Sequence, residues 1–174
     1  LMNIFGFPYV SQQPVVARED LMVNDVLVGA LQSMEGLGAF IGAALIVAFA
    51  RPHHYARIYL YGSLLFLVAV IVFSRSEWYW VSFVTVFIGG FGMASFAAMQ
   101  SAIMIYAASP AMRARVMGSV AMFIGLGPMG QLLIGHLAEI LDPRTAILII
   151  GVIGFVSVAA SAVAFPILRN GQAT

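Results

Sequence analysis

The chain has 174 residues, of which 62% are hydrophobic and 9% charged, with a net charge of +1 and a mean hydropathy of +1.01. Soluble domains are about half apolar and about a quarter charged, so this composition excludes a water-soluble globule and predicts an integral membrane protein. The basic residues are all arginine and form no continuous cationic stripe, which argues against nucleic acid as a partner. The chain contains no cysteine, which excludes disulfides and thiolate metal sites.

The apolar segments predict a bundle of six transmembrane helices. The first, residues 1–14, has no cationic stretch before it and no small-residue cleavage site after it, so we interpret it as part of a truncated helix rather than a signal peptide. Because the segments are apolar on every face and do not alternate, we expect an all-α, polytopic membrane bundle rather than a β-barrel. The predicted spans are 1–14, 26–50, 57–74, 78–108, 112–138 and 145–168.

The first two segments contain the most conspicuous polar residues. Asn3 and Tyr9, with Gln12 and Gln13, form a loose polar set on the first segment. Glu35 is the one acid inside a span, near its middle, and an ionised carboxylate in lipid costs several kcal/mol, so we expect it to face protein or water.

The helical neighbours of Glu35 are polar or small. Gln32, Gly38 and Gly42 share its predicted face, and the Gly38–Gly42 spacing allows two helices to approach closely. Two readings stay open. Glu35 is either a protonatable coupling or substrate-sensing residue, or an acid in an ordinary polar helix contact.

The fourth segment carries a second polar face. Gly92, Ser95, Met99, Ala102 and Tyr106 recur at helical spacing, while Gln100 points about 100° away, onto the adjoining face. That face either lines a cavity or makes ordinary interhelical hydrogen bonds, and the residues leave both open.

The fifth segment contains a helix breaker. Pro128 cannot donate a hydrogen bond to the Ile124 carbonyl, so the helix must be distorted there, as a rigid kink or as a moving hinge. Helix starts are predicted at Ser109-Pro110 and at Asp142-Pro143, where a capping side chain precedes proline.

The arginines are distributed unequally between alternate loops. Arg51, Arg57, Arg113, Arg115 and Arg169 lie on one predicted side, and Arg18, Arg75 and Arg144 on the other. The positive-inside rule makes the first side, and the C-terminus with it, cytoplasmic. All the loop acids fall on the opposite side: Glu19, Asp20, Asp25, Glu77, Glu139 and Asp142.

Enzymatic chemistry finds little support. The His53-His54 pair has no acid or cysteine at metal-ligand spacing. A glycine-rich phosphate-binding loop of the P-loop type needs a lysine, and the chain contains none. We therefore expect neither an enzyme nor a metal site nor a cofactor.

Three stretches together resemble a known family. They are residues 3–19, the glycine-rich helix 29–42, and residues 113–118 leading into Gly125-x-Gly127-Pro128-x-x-Gln131. They resemble the C-terminal half of major facilitator superfamily transporters and, within that superfamily, bacterial exporters related to enterobactin and multidrug efflux. The resemblance implies helices seven to twelve of a proton-driven transporter that alternates access between two halves, with inverted three-helix repeats in each half.

The resemblance also suggests roles for individual residues. It places Glu35, Gly38, Gly42, Gly127 and Pro128 on the rocking interfaces between the halves. The candidates for the substrate cavity are Asn3, Tyr9, Gln32, Ser95, Gln100, Tyr106 and Gln131.

One loop departs from the family pattern. Residues 51–57 occupy the place of an acidic and basic cytoplasmic gating motif, yet they contain no acid. We therefore expect Arg57, Arg113 and Arg115 to pair with an N-terminal six-helix half or with lipid headgroups.

Two functions follow as hypotheses. The first is secondary active, proton-coupled export of small organic molecules, drug-like or siderophore-like, across the bacterial inner membrane. Its partners would be the bilayer, the N-terminal half, the substrate and protons. The alternative is a six-helix membrane scaffold or partner subunit with no transport activity of its own.

Overall fold

The structure is a computed structural model that describes residues 1–109 and 111–165. The described residues form helices and no strand, which confirms the predicted all-α membrane bundle. A short π-helix, Met2–Gly6, comes first, and a 3₁₀ turn, Pro52–His54, precedes the third α-helix. The α-helices are α1 Tyr9–Glu19, α2 Asp25–Phe49, α3 Tyr55–Arg75, α4 Tyr79–Ala107, α5 Arg113–Ile124, α6 Gly127–Ile140 and α7 Pro143–Ala164.

Five of the predicted spans are long and apolar enough to cross a membrane. They are Asp25–Phe49, Pro52–Arg75, Tyr79–Tyr106, Arg113–Ile140 and Pro143–Ala164. The predicted first span, 1–14, is a π-helix followed by α1, which continues to Glu19, and it is not among the membrane-length helices of the described residues.

The ends of the helices follow the predicted caps at one position and not at another. Asp142 caps α7, where its carboxylate accepts a hydrogen bond from the Thr145 N–H at 2.9 Å, so this prediction is confirmed. The prediction at Ser109 is wrong, because α5 begins only at Arg113 and has no side-chain cap. The backbone carbonyl of Ser109 instead accepts hydrogen bonds from the N–H groups of Met112 and Arg113, and this turn comes before the first residue of α5. Pro110 lies outside the described residues.

The fifth span is broken where Pro128 predicted a distortion. α5 ends at Ile124, the chain turns at Gly125 and Leu126, and α6 starts with Pro128 in its first turn. A proline is tolerated in a first turn because an N–H there has no intrahelical partner. The predicted distortion is therefore confirmed.

Helix α3 lies at the centre of the packing. It packs against both α4 and α7, α2 packs on α4, and the π-helix lies against α3, α6 and α7. The side chains of Phe66, Leu67 and Phe73 on α3 are fully buried among Ile147 and Ile150 of α7 and their neighbours.

Glycines allow several of these helices to touch. A Cβ at Gly92 would lie 2.7 Å from the Gly62 carbonyl oxygen of α3, and one at Gly130 would lie 2.7 Å from the Ile4 carbonyl oxygen. Each distance is too short for a real side chain, so these contacts require glycine.

Two spans are much less covered than the others. Only 17% of the most apolar stretch of α2, and of the α5–α6 span, is buried, against 44%, 50% and 33% for the spans of α3, α4 and α7. The exposed faces of α2 and α5–α6 therefore lie at the periphery of the bundle.

The loops at one end of the bundle are joined by an ion pair. Arg144, at the start of α7, lies 3.2 Å from Asp20 of the α1–α2 loop, and Arg18 lies 2.9 Å from Asp25 next to the same loop. Residues that the arginine count assigned to one side of the membrane thus occupy one end of the structure.

Candidate functional site

The first element of the site is a buried hydrogen bond between α1 and α2. The Tyr9 hydroxyl donates to Glu35 Oε1 at 2.7 Å, and both side chains are buried. The Tyr9 ring packs edge-on against Phe66 at 5.6 Å and Phe73 at 6.0 Å, which fixes the direction of its hydroxyl. The one acid inside a predicted span is therefore satisfied by a specific partner within this chain.

The backbone around Glu35 is in direct contact with α4. Gly90 faces the Glu35 carbonyl oxygen, and Gly38 faces the Phe87 carbonyl oxygen, each so closely that a Cβ would clash. A Cβ at Gly42 would lie 3.1 Å from the Phe91 carbonyl oxygen. Gly38 and Gly42 thus bind α2 to α4 inside this chain, whereas the family resemblance placed them between two halves.

Gln13 is a polar residue that sequence reasoning placed only in a loose set. It is fully buried in α1, and neither atom of its amide group has a hydrogen-bond partner among the described residues. The signal in the sequence was its spacing, since Gln13 follows Tyr9 by four residues and shares its helix face. A glutamine on the face of a buried tyrosine indicates a polar site in the interior.

A cavity of about 440 Å³ brings together two of the predicted cavity residues, Asn3 and Gln100. The Asn3 amide group donates to the Phe123 carbonyl at 3.3 Å. The hydroxyl-bearing residues of the lining are Tyr59, Ser63 and Ser161, and the rest of the lining is apolar. The cavity therefore offers a few neutral polar groups in an apolar wall.

The other predicted residues of α4 do not share this cavity. Ser95 is buried against Gly62 of α3, and its hydroxyl donates to the Phe91 carbonyl at 3.1 Å. Tyr106 is 67% exposed and meets Tyr55 edge-on. The face expected to act as a unit is divided, because Ser95 lies in a helix contact and lines a separate cavity that also contains Arg57, whereas Tyr106 lies on the surface. Gln100, on the adjoining face, is the residue that reaches the cavity of Asn3.

The remaining predicted residues lie on exposed surfaces. Gln32 and Gln131 are exposed, and so is Pro128. No atom of another helix lies within 4 Å of a Cβ built at Gly127. The shared face expected for Gln32 and Glu35 is therefore not formed, because α4 and α1 cover Glu35 and leave Gln32 outside.

The three arginines proposed for the gate are in different surroundings. Arg113 Nε donates to the Ala108 carbonyl at 3.4 Å, and Arg115 is exposed. Arg57 lines a second cavity, of about 550 Å³, with His54 and Tyr61. Arg169 lies outside the described residues.

Asp142, in the loop before α7, has a shifted pKa. Hydrogen bonds from Thr145 hold the pKa of Asp142 below its usual value. Within the part of the chain that the structure describes, no three histidine or acidic residues come close enough to hold a metal ion.

Comparison with protein families identifies a superfamily that covers nearly the whole chain. A family model described as Major Facilitator Superfamily matches residues 2–173. Neither the curated proteins nor the solved structures contain a match to the chain.

Proposed function

Because the chain belongs to the major facilitator superfamily of multi-pass membrane transporters, we propose that it exports small organic molecules by proton-coupled alternating access. The single observation that carries this proposal is the buried hydrogen bond from Tyr9 to Glu35. A carboxyl group at this depth is costly to keep ionised, so its protonation state is a natural means of coupling proton movement to helix movement.

The position of Glu35 suits a coupling residue. Its side chain contacts α1 through Tyr9, and its backbone contacts α4 through Gly90. A carboxylate accepts the Tyr9 hydroxyl as a charge-assisted hydrogen bond, which is stronger than the bond that a neutral carboxyl group accepts. Gain or loss of one proton at Glu35 would therefore change how tightly α1, α2 and α4 are held together.

We place the partner on the exposed faces of α2 and α5–α6. These spans are the least buried, and no atom of another helix lies within 4 Å of a Cβ built at Gly29, Gly36, Gly118 or Gly127. Open glycines on apolar helices suit close packing with other membrane helices. The proposed occupant is the N-terminal six-helix half, and lipid covers the rest of the apolar surface.

The substrate proposal rests on the cavity that contains Asn3 and Gln100. No charged side chain is among its lining residues, and its polar groups are amides and hydroxyls. Such a lining suits a neutral, largely apolar molecule with a few hydrogen-bonding groups. Gln32, Tyr106 and Gln131 are exposed on this chain, so they would reach substrate only where another helical domain encloses them.

The proposed location is the bacterial cytoplasmic membrane, with the C-terminus in the cytoplasm. The support is the excess of arginines near the α2–α3 and α4–α5 connections, where Arg57 lies in the first turn of α3 and Arg113 and Arg115 lie in the first turn of α5. These residues would bind lipid headgroups or acids of the other half.

The test is proton-gradient-driven efflux by the protein in its membrane, compared between the parent and Glu35→Gln. We expect the variant to lose accumulation against a gradient but to keep downhill exchange of substrate, because only the titrating group is removed. Glu139→Gln, which changes an exposed acid of α6, is the matched control and should transport normally. Coupled efflux that is unchanged in Glu35→Gln would remove this residue from the mechanism.

The exposed faces of α2 and α5–α6 also favour a second candidate, a membrane scaffold that acts by binding partner helices. The same efflux assay separates the two. A protein that moves no substrate in either direction, yet co-purifies with a defined membrane partner, would be a scaffold.

A further inference from the structure

Gln13 occupies an unusual position for an amide. Its side chain is fully buried, next to Val16 and Ala17, which are also fully buried. Neither its amide oxygen nor its amide nitrogen has a partner among the described residues. A buried amide without hydrogen bonds costs about 1–3 kcal/mol, and native proteins usually satisfy such groups with an internal water molecule.

The location of Gln13 relative to Glu35 indicates which end of the bundle such a water molecule would connect to Glu35. Gln13 lies one helical turn after Tyr9 on the same face of α1, a rise of about 6 Å. Tyr9 donates to Glu35, and α1 continues from Gln13 to the loop where Asp20 meets Arg144 at 3.2 Å. Gln13 therefore lies between the buried carboxyl group and the α1–α2 loop end of the bundle.

We propose that Gln13 binds an internal water molecule that connects the Tyr9–Glu35 pair to the α1–α2 loop end, so that this end is the side from which protons reach Glu35. This inference rests on the proposed function for its use of the proton, but the water site itself does not.

The chemistry of an amide suits this role. It has both a donor and an acceptor, so it can hold a water molecule in either orientation, and it does not titrate and therefore cannot trap the proton. A metal cation is a poorer occupant, since hard cations need several oxygen ligands and the Gln13 side chain supplies one. The buried neighbours Val16 and Ala17 would keep the path narrow and prevent an open leak.

The experiment is hydroxyl-radical footprinting of the intact protein in its membrane, with radicals generated by X-ray radiolysis of water. Tyr9 is 1% exposed, so bulk water cannot oxidise it efficiently, whereas an internal water one turn away can. We expect measurable oxidation of Tyr9 in the parent, and a loss of about tenfold in Gln13→Leu, which corresponds to about 1.4 kcal/mol of water binding.

Two variants make the result specific. Gln12→Leu removes the same chemical group from the neighbouring, half-buried position and should leave the oxidation of Tyr9 unchanged. Gln13→Asn keeps an amide and should retain most of the oxidation, and Gln13→Met, which is apolar and of similar length, replaces Gln13→Leu if that variant does not fold. Equal oxidation of Tyr9 in the parent and in the apolar variant, or none in the parent, overturns the water site.

A transport measurement then tests the use of the water. Gln13→Leu should slow proton-driven efflux at saturating substrate with little change in KM, because it affects proton delivery and not substrate binding. If Tyr9 oxidation responds to Gln13 but Glu35→Gln leaves coupling intact, the water site stands and the proposed function fails.

Discussion

Gly90 of α4 lies directly against the carbonyl oxygen of Glu35 on α2, at the level where Tyr9 holds the Glu35 carboxyl group. The contact leaves no room for a Cβ at position 90. Glu35 is therefore held by two independent contacts, one through its backbone and one through its side chain.

We expect Gly90→Ala to destabilise the protein by about 1–3 kcal/mol, because the added methyl group forces α2 and α4 apart. The neighbouring Gly89→Ala is the matched control. A Cβ there would lie 3.5 Å from the Ala69 Cβ and 4.0 Å from the Tyr9 hydroxyl oxygen, both ordinary contact distances. Thermal unfolding in detergent should show a lower Tm for Gly90→Ala only, and equal values for both variants would contradict the contact.

Sequence reasoning predicted the features that depend on one helix at a time. The apolar lengths predicted five helices of membrane length, Pro128 located the break after Ile124, and Asp142 predicted the cap of α7. Each of these depends on local backbone chemistry, which the order of residues determines.

The features that depend on which helices are neighbours were not predictable in this way. Tyr9 and Glu35 are separated by 26 positions, and nothing local indicates that they meet. Periodicity placed Ser95 and Tyr106 on one face of α4, but that face is covered by α3 only around Ser95. The burial of Gln13 likewise follows from its neighbours and not from its own segment.

A second prediction concerns the Tyr9 hydroxyl. Tyr9→Phe keeps the ring in its contacts with Phe66 and Phe73 but leaves the buried Glu35 carboxyl group without its donor, at a cost of about 1–3 kcal/mol. Chemical unfolding should detect this loss of stability. Tyr61→Phe removes a hydroxyl from a tyrosine that is 59% exposed and should have little effect. A stability of Tyr9→Phe equal to that of the parent would show that this bond contributes nothing.

A third prediction concerns the start of α7. The pKa of Asp142 is lower in the folded protein than in the unfolded chain, because Thr145 donates hydrogen bonds to it. Its stabilisation is therefore fully present above the unfolded pKa and is lost as the pH falls through the folded pKa. Asp142→Ala should cost about 1 kcal/mol near neutral pH and almost nothing in acid.

The comparison with Asp142→Asn isolates the charge. Asparagine keeps an acceptor for the Thr145 N–H but does not titrate, so the acid-dependent part of the stability should disappear while most of the neutral-pH stability remains. Unfolding curves from neutral to acidic pH would measure both effects. Parallel pH profiles for the parent and Asp142→Asn would refute the assignment.

A fourth prediction concerns the orientation of the chain in the membrane. The chain contains no cysteine, so single cysteines give an unambiguous label. In intact cells a membrane-impermeant maleimide should label Glu77→Cys from outside and should label Arg51→Cys only after permeabilisation, since arginine-rich loops remain in the cytoplasm. Both positions are exposed, so burial does not explain a difference. The reverse pattern would invert the topology.

The last prediction distinguishes a rigid kink from a moving hinge at the α5–α6 break. Pro128→Ala restores an N–H that can donate to the Ile124 carbonyl, which would allow one continuous helix over this span. Spin labels at Ser119→Cys and His136→Cys, both exposed, would be about 25 Å apart along a straight helix. Pulsed dipolar spectroscopy should show a shorter distance between the labels in the parent and a longer one in Pro128→Ala, with Met129→Ala as the exposed neighbouring control.

The width of the distance distribution separates the two kinds of break. A broad distribution in the parent that narrows in Pro128→Ala identifies a moving hinge, whereas two equally narrow distributions identify a rigid kink. Identical distances would mean that the break at Gly125 and Leu126 does not depend on the proline, and that the glycines alone turn the chain.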